Sequence, residues 1–342
     1  MRSDVLLSEV PLNDVISPAT ALTALLLATL LSFPAAALDT SRDDVQAFIA
    51  EMSRDYEFDA AWLEKLLAGA ETRQNILDAI SRPAERVTPW FEYRAQFLTD
   101  RRIQRGVEFR HEHAKRLAAI DDVQLADTVI GILGVETFYG RITGKFRVLD
   151  ALTTLGFDYP PRADFFRGQL QQFLLLTREE AVDPAAALGS YAGAMGSPQF
   201  VASSYRKFAV DGDGDGRRDL WSSWDDVIAS VANYLRGHGW RTGEQVLADA
   251  SLTDGDLSRF NIERIELNET VKSLRDKGVQ FDTKLPDDAP AMLIAAQGST
   301  GPAYRVGFHN FYVITRYNRS SMYAMAVHDL GAAVRRARDI RP

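Results

Sequence analysis

The sequence predicts a mainly α-helical protein of the α+β class, carrying one small β-containing subdomain. Three observations carry this reading. Residues 39–242 and 309–342 repeat apolar side chains at helical spacing, with capping residues and glycine stops where helices would begin and end. Residues 243–308 change texture to short alternating runs punctuated by Gly, Pro and Asp. Three Asp-Gly pairs in tandem at 211–216 suit neither helix nor strand and read as an EF-hand-like loop.

Taken in order, residues 19–33 (ATALTALLLATLLSF) form an apolar run as long as a signal-peptide core and short for a membrane span. Residues 34–37 (PAAA) suit cleavage near Ala37, so residues 1–37 read as a signal peptide and the remainder as a periplasmic protein. Arg2 stands against Asp4, Glu9 and Asp14 before that run, a net −2 where an export signal is ordinarily positive. Residues 43–49 and 59–67 start amphipathic helices, the second ending near Gly69. Pro83 and Pro89 bracket a break before residues 90–94. Residues 101–117 read as a charged helix. His111 and His113, two apart, face different sides of it, which suits a solvated face and not a metal pair.

Residues 128–136 (TVIGILGVE) predict an apolar helix capped by Asp127 or Thr128 and stopped near Gly140. Further helices are expected over 145–155 and 162–175, with a loop at 157–161 between them. Residues 189–196 (GSYAGAMG) are small residues interrupted by Tyr191 and Met195, followed by Ser197-Pro198 as an N-cap and first helical position. Gln199 then falls in a first turn. Residues 227–236 read as a helix, and 261–267, 290–295 and 304–307 as strands. Residues 311–318 return to the main body before a final helix over 323–339. The chain therefore divides into a signal peptide (1–37), a helical region (38–242), a small β-containing subdomain (243–308) and a returning segment (309–342).

Composition narrows the function. The 342 residues carry a net charge of −8, and −6 without residues 1–37, so a nucleic acid held by bulk electrostatics is not expected. The chain has no cysteine, which excludes disulfides, thiolate metal sites, cysteine nucleophiles and a lipid-modified cysteine. No GxGxxG, P-loop, HExxH or GxSxG occurs, and no organic cofactor is expected.

What remains points to sugars. On a helix, Glu136 lies three, four and seven residues after Leu133, Ile132 and Val129, on an apolar face. Desolvation there raises a carboxyl's pKa and makes a proton donor at neutral pH. The plain alternative is a helix-end Glu paired with Arg141. A buried acid, a glycine-rich Ser/Gln segment and many tyrosines fit a carbohydrate cleft, in which the acid protonates a glycosidic oxygen. No second carboxylate is evident beyond Asp150 and Asp158, which are near in sequence only. Its lack would leave the substrate's own hydroxyl as the natural nucleophile. In the loop, Asp211, Asp213, Asp215 and Asp219 hold positions one, three, five and nine of a calcium loop, with Gly216 at six and Arg217 offering a backbone carbonyl. Ser222 stands where a bidentate Glu is usual, so Asp225 or Asp226 must close the site.

Several stretches together resemble the membrane-bound lytic transglycosylase B family (glycoside hydrolase family 103). They are GVETFYGRITGKFRVLDALTTLGFDYP, GSYAGAMGSPQF, the DGDGDG loop with its following DLW, SVANYLRGHGW and NFYVITRYNRSSMYAMAV. The likeness spans nearly all of 40–340 in family order. It implies a lysozyme-like helical core, a structural calcium ion, and non-hydrolytic cleavage of the MurNAc–GlcNAc β-1,4 bond of peptidoglycan glycan strands. The implied product ends in 1,6-anhydro-MurNAc, with Glu136 as acid and then base. The resemblance places substrate-binding residues at Tyr93, Arg162, Ser190, Gln199, Tyr234, Tyr317, Asn318 and Tyr323. It places metal ligands at Asp211, Asp213, Asp215, Arg217 and Asp226, with Asp225 the rival to the last. Pro161 departs from the family where a second Arg can stand, and the absent lipidation cysteine argues for a soluble form without a permanent membrane anchor. A monomer is expected. The competing readings are a hydrolytic muramidase on the same scaffold, a non-catalytic peptidoglycan-binding protein and a calcium-responsive adaptor.

Overall fold

A computed structural model describes residues 36–81 and 88–339. Residues 1–35 of the expected signal peptide, and Pro83, lie outside the described residues. Helices share one apolar core that runs from Leu38 and the first helix, Asp43–Tyr56, to Val334 in the last, Ser321–Asp339. At its centre stands helix Val123–Thr137, in which only Val123, Gln124 and Glu136 escape burial. Its glycines explain how closely it packs. A Cβ on Gly131 would meet the Val327 carbonyl oxygen at 2.2 Å, and one on Gly331 would meet that of Asp127 at 2.2 Å. Helices Val123–Thr137 and Ser321–Asp339 thus touch backbone to backbone.

This helix begins at Val123 and not at Thr128. Its cap is Asp122, whose carboxylate accepts the N–H groups of Gln124 and Leu125 at 2.9 and 3.0 Å. Asp127 is buried inside the helix, paired with Arg110 and with Arg335 at 3.0 Å, which is why it is not a cap. The 101–117 segment is also different: Asp100–Glu112 and Ala114–Ala118 are separate helices broken at His113. The break turns His113 inward, against the expected solvated face. Its ring lies 4.4 Å from Phe109 and 5.2 Å from Trp224, and burial lowers its pKa.

Ser197 and Pro198 do not open a helix. Residues 196–199 fold as a tight turn, with the Gln199 N–H donated to the Gly196 carbonyl at 3.2 Å and Gln199 itself left-handed at φ 54°. The next helix is Ala202–Phe208. Short pairings hold this stretch: Leu188–Gly189 pairs with Phe146–Arg147, while Met195 bridges both Gly189 and Phe200.

Between helix Trp224–Gly237 and helix His309–Tyr317 lies a five-stranded antiparallel sheet. Its order is Glu269–Thr270, Pro290–Gln297, Pro302–Phe308, Leu247–Leu252, Val279–Phe281. Alternation sorts its side chains by face: Ala291 and Leu293 join a separate apolar cluster with Leu252, Leu274 and Val306, while Met292 and Ile294 join the helical core. The expected strand at 261–267 does not form. That segment is mostly exposed, and it finds no strand partner among the described residues. Leu247–Leu252 is a strand instead, although Ala, Asp and Ser are poor strand formers, because it is paired on both sides.

Candidate active site

Glu136 stands in the last turn of its helix, with only a partial opening to solvent. Burial pushes its carboxyl up to about 7, and a hydrogen bond from the Tyr323 hydroxyl to Oε1 at 2.7 Å opposes that rise. Those two influences account for the shift, with no contribution from another carboxylate among the described residues. Asp150 and Asp158 are spent elsewhere. Asp150 is fully buried between Arg73 and Arg147, at 2.9 and 2.7 Å, and Asp158 pairs with Arg42 at 2.6 Å. Arg141 is exposed, its guanidinium over the Phe138 ring, so the helix-end ion pair with Glu136 does not form.

Tyrosines form the wall around the acid. Tyr323 is fully buried, and its ring lies nearly parallel to that of Tyr317 with centroids 6.4 Å apart. Tyr317 sits 4.8 Å from Tyr234, and Phe200 contacts both of those rings. Burial and the nearby Glu136 raise the Tyr317 and Tyr323 hydroxyls well above the usual phenol range, which keeps both as donors. Each has a fixed acceptor or contact: Tyr317 donates to the Pro198 carbonyl at 2.5 Å, and Tyr234 to that of Arg316 at 2.6 Å. Tyr93, half-buried on helix Trp90–Phe97, lies close enough to Tyr323 to influence its hydroxyl. Four sequence-predicted tyrosines and Glu136, from five different helices, therefore come together.

The remaining predicted residues are placed differently. Ser190 folds its hydroxyl back onto the N–H groups of Ala192 and Ala194, at 3.3 and 3.0 Å, within the glycine-rich turn. The Gln199 amide donates to the carbonyls of Thr143 and Gly196 at 3.0 and 2.9 Å. Asn318 is buried, and its Oδ1 has no hydrogen-bond partner among the described residues. Arg162 lies over Phe165 and Phe166 at 4.4 and 5.2 Å, and forms no ion pair among the described residues. Thr137, which sequence reasoning passed over, is fully buried and donates to the Ser197 carbonyl at 2.9 Å.

In the acidic loop, carboxylate oxygens of Asp211, Asp213 and Asp226 lie within 4.8 Å of one another. Asp225 is engaged by Arg116 at 2.6 Å, while Asp226 accepts the N–H groups of Gly212 and Asp219 and reaches into the loop. Asp215 stands outside the group and accepts the Arg217 N–H at 2.8 Å; Asp219 caps the turn at Trp221 and Ser222. Carboxylate oxygens without a soft ligand suit a hard cation such as Ca²⁺.

A proton donor poised near neutrality beside aromatic faces defines a class: helical enzymes that break a bond between sugars. Comparison with known proteins narrows it. The transglycosylase SLT domain matches residues 40–332, and the chain belongs to that family. It is 39% identical to membrane-bound lytic murein transglycosylase B of Escherichia coli K12, over 86% of this chain and 83% of that one. Among solved structures, a catenated lytic transglycosylase SltB1 of Pseudomonas aeruginosa is 50% identical with a TM-score of 0.84, covering 87% of this chain and 98% of that one. The E. coli lytic transglycosylase Slt35 in complex with calcium is 37% identical with a TM-score of 0.78, covering 89% and 97%. The fold is the lysozyme-like one these enzymes share.

Proposed function

We propose that Glu136 makes both proton transfers by which this lytic transglycosylase cleaves the MurNAc–GlcNAc β-1,4 bond and leaves a 1,6-anhydro-MurNAc end. The carrying observation is a buried acid held near neutrality, while the two carboxylates near it in sequence, Asp150 and Asp158, are bound to Arg73, Arg147 and Arg42. Protonated Glu136 gives its proton to the glycosidic oxygen as the bond from the MurNAc anomeric carbon breaks, and the GlcNAc side leaves as an alcohol. The carboxylate so formed takes the proton of the MurNAc 6-hydroxyl, whose oxygen bonds to the anomeric carbon. An inverting hydrolase needs a second carboxylate to activate water, and a retaining one needs a carboxylate nucleophile about 5 Å from the acid. The sugar's own hydroxyl substitutes for both.

Tyr93, Tyr234, Tyr317 and Tyr323 line the groove, and the Tyr323 hydroxyl favours the anion formed between the two transfers. The unpaired Oδ1 of Asn318 suits the N–H of an acetamido group, since a buried acceptor left without a donor is costly. Ser190 and Gln199 position the sugar, and Arg162, with no carboxylate of its own, meets the anionic lactyl or peptide groups. A structural Ca²⁺ on Asp211, Asp213 and Asp226, with the Arg217 carbonyl and a re-aimed Asp215, staples the loop in front of helix Trp224–Gly237. The catalytic core comprises residues 38–242 and 309–342, with 243–308 a small subdomain. Residues 1–37 direct a monomer to the periplasm. No helix of the described residues is long and apolar enough to cross a membrane.

Digesting purified sacculi and weighing the released muropeptides tests this. Anhydro ends, one water lighter than hydrolytic ends, are expected from the wild type, and at least about a hundredfold fewer from Glu136→Gln. Reducing hydrolytic ends would make the protein a muramidase, and unchanged lysis by Glu136→Gln would remove this acid from the mechanism.

A further inference from the structure

The contacts around Glu136 form a closed circuit, and one member has no part in the reading above. Thr137, the next residue, is fully buried. Its hydroxyl donates to the Ser197 carbonyl at 2.9 Å and accepts the Gly140 N–H at 3.0 Å. The Leu133 carbonyl, the ordinary back-bonding acceptor within a helix, is farther at 3.3 Å. A threonine hydroxyl has one hydrogen, so the bond to Ser197, sixty residues away, is the one the geometry favours. From Ser197 the circuit continues through neighbouring Pro198, whose carbonyl accepts the Tyr317 hydroxyl at 2.5 Å. Tyr317 lies against Tyr323, and Tyr323 donates to Glu136. The path returns one residue from its start.

Beyond Thr137 the backbone is strained. Phe138 and Tyr139 are both left-handed, with φ of 51° and 57°, where non-glycine residues rarely stay unless cross-links hold them. The Gly140 N–H bonded to Thr137 is one such link, and the Tyr139 N–H bonded to the Leu133 carbonyl at 2.9 Å is another.

We infer that Thr137 is a positioning residue for the lytic reaction: its hydroxyl ties the end of the acid's helix to the 197–199 turn and so fixes Glu136 against the Tyr317–Tyr323 pair. The inference rests on Glu136 being the acid. It makes the hydroxyl, and not the threonine methyl, the group that matters.

The test compares Thr137→Val, which keeps shape and loses the hydroxyl, with Thr137→Ser, which keeps the hydroxyl, using Glu136→Gln as reference. All are assayed as full chains on sacculi and on a soluble glycan fragment. A carboxyl that drifts by a fraction of an ångström from its reacting geometry loses about tenfold or more in kcat. Thr137→Val should show that loss in kcat with a smaller rise in KM, because, of the substrate-binding groups, only Gln199, in the tethered turn, and Tyr317, bonded to it, are loosened. Its alkaline limb should also move, since the exclusion of water and the Tyr323 bond that together set the Glu136 pKa both depend on where the carboxyl is held. Thr137→Ser should recover most of the rate. A folded Thr137→Val with wild-type kcat and pH profile overturns the inference, and so does a Thr137→Ser as impaired as the valine variant. Should Thr137→Val not fold, Thr137→Cys, a weak donor of similar size, is expected to be intermediate in kcat, and a wild-type rate there overturns the inference equally. An active Glu136→Gln instead overturns the acid assignment, and this inference with it.

Discussion

The hydroxyl of Tyr323 donates to Oε1 of Glu136 at 2.7 Å, joining two helices whose residues stand 187 apart in the chain. Burial and the facing acid keep that phenol protonated, so it has a hydrogen to donate to the carboxylate. A donor favours the carboxylate, whereas burial favours the carboxyl; the hydrogen bond therefore restrains a pKa that would otherwise climb further. Tyr323→Phe should raise the pKa of Glu136 and carry the alkaline limb of kcat to higher pH. It should also cost about tenfold in kcat, because the anion between the two transfers loses its donor. A pH–rate profile on sacculi reads both, and a limb that moves to lower pH contradicts the assignment.

Glu136→Gln should lower the rate by about 10²- to 10⁴-fold while a glycan fragment still binds, the amide having no proton to give. The same variant carries a stability prediction. A carboxyl raised from 4.5 to about 7 binds its proton more tightly in the folded state than in the unfolded one. Stability is therefore fully present below about pH 4.5 and falls as pH rises to about 7, by up to about 3 kcal/mol for this group. Glutamine has no such dependence, so Glu136→Gln should gain in Tm over the wild type at pH 8 and gain little at pH 4.5. Parallel melting curves at the two pH values decide it, and an equal difference at both would mean the acid is not desolvated.

Calcium should raise Tm and a chelator lower it, by an amount that grows with the ratio of free ion to Kd, about 2.7 kcal/mol at a hundredfold excess. Asp226→Asn should abolish the calcium-dependent shift. Asp225→Asn should leave it in place, since that carboxylate is committed to Arg116 at 2.6 Å. Thermal melts with calcium and with chelator separate the two neighbours. If Asp225→Asn is the variant that loses the shift, the loop closes differently from the arrangement here.

These sites were legible in the sequence to different depths, for physical reasons. Glu136 could be read directly, since an unbroken apolar helix leaves a terminal carboxyl few places to go. The start of that helix could not: Gln124 and Asp127 interrupt the apolar run, and the arginines that let Asp127 be buried inside the helix come from other elements. The tyrosine wall is assembled from separate helices, which no local pattern records, and the family resemblance alone placed its members. The DGDGDG loop was plain, but the pairing of Asp225 with Arg116, on another helix, was not. Alternation at 261–267 misled because period two marks a strand only where a neighbouring strand can take its backbone bonds. Thr137 went unread because a buried threonine beside an acid looks like ordinary helix filling until the turn at Ser197 is folded against it.

Asp329 binds the sheet to the catalytic core, and its ionisation should govern acid stability. It lies on helix Ser321–Asp339 and accepts both guanidinium nitrogens of Arg305, from strand Pro302–Phe308, at 2.8 and 3.1 Å. Arg94, next to Tyr93, adds a third bond at 3.1 Å, His328 lies at 3.3 Å, and the Arg305 guanidinium also covers the Trp90 ring. Burial works against the charge, but His328 and Arg305 outweigh it and hold this carboxyl well below the usual range. A depressed folded-state pKa gives stability that is present above the unfolded value, about 3.9, and is lost as pH falls below it. Asp329→Asn should therefore cost about 3 kcal/mol at pH 7, because it leaves two arginines facing a neutral amide, and the gap to wild type should narrow below about pH 4. Asp254→Asn, which breaks an exposed pair with Arg259, should change Tm little and serves as the control. Melting curves of the three proteins from pH 3 to pH 8 make the measurement. A gap that stays constant through pH 3 would mean that the loss comes from packing around Asp329 and not from its charge.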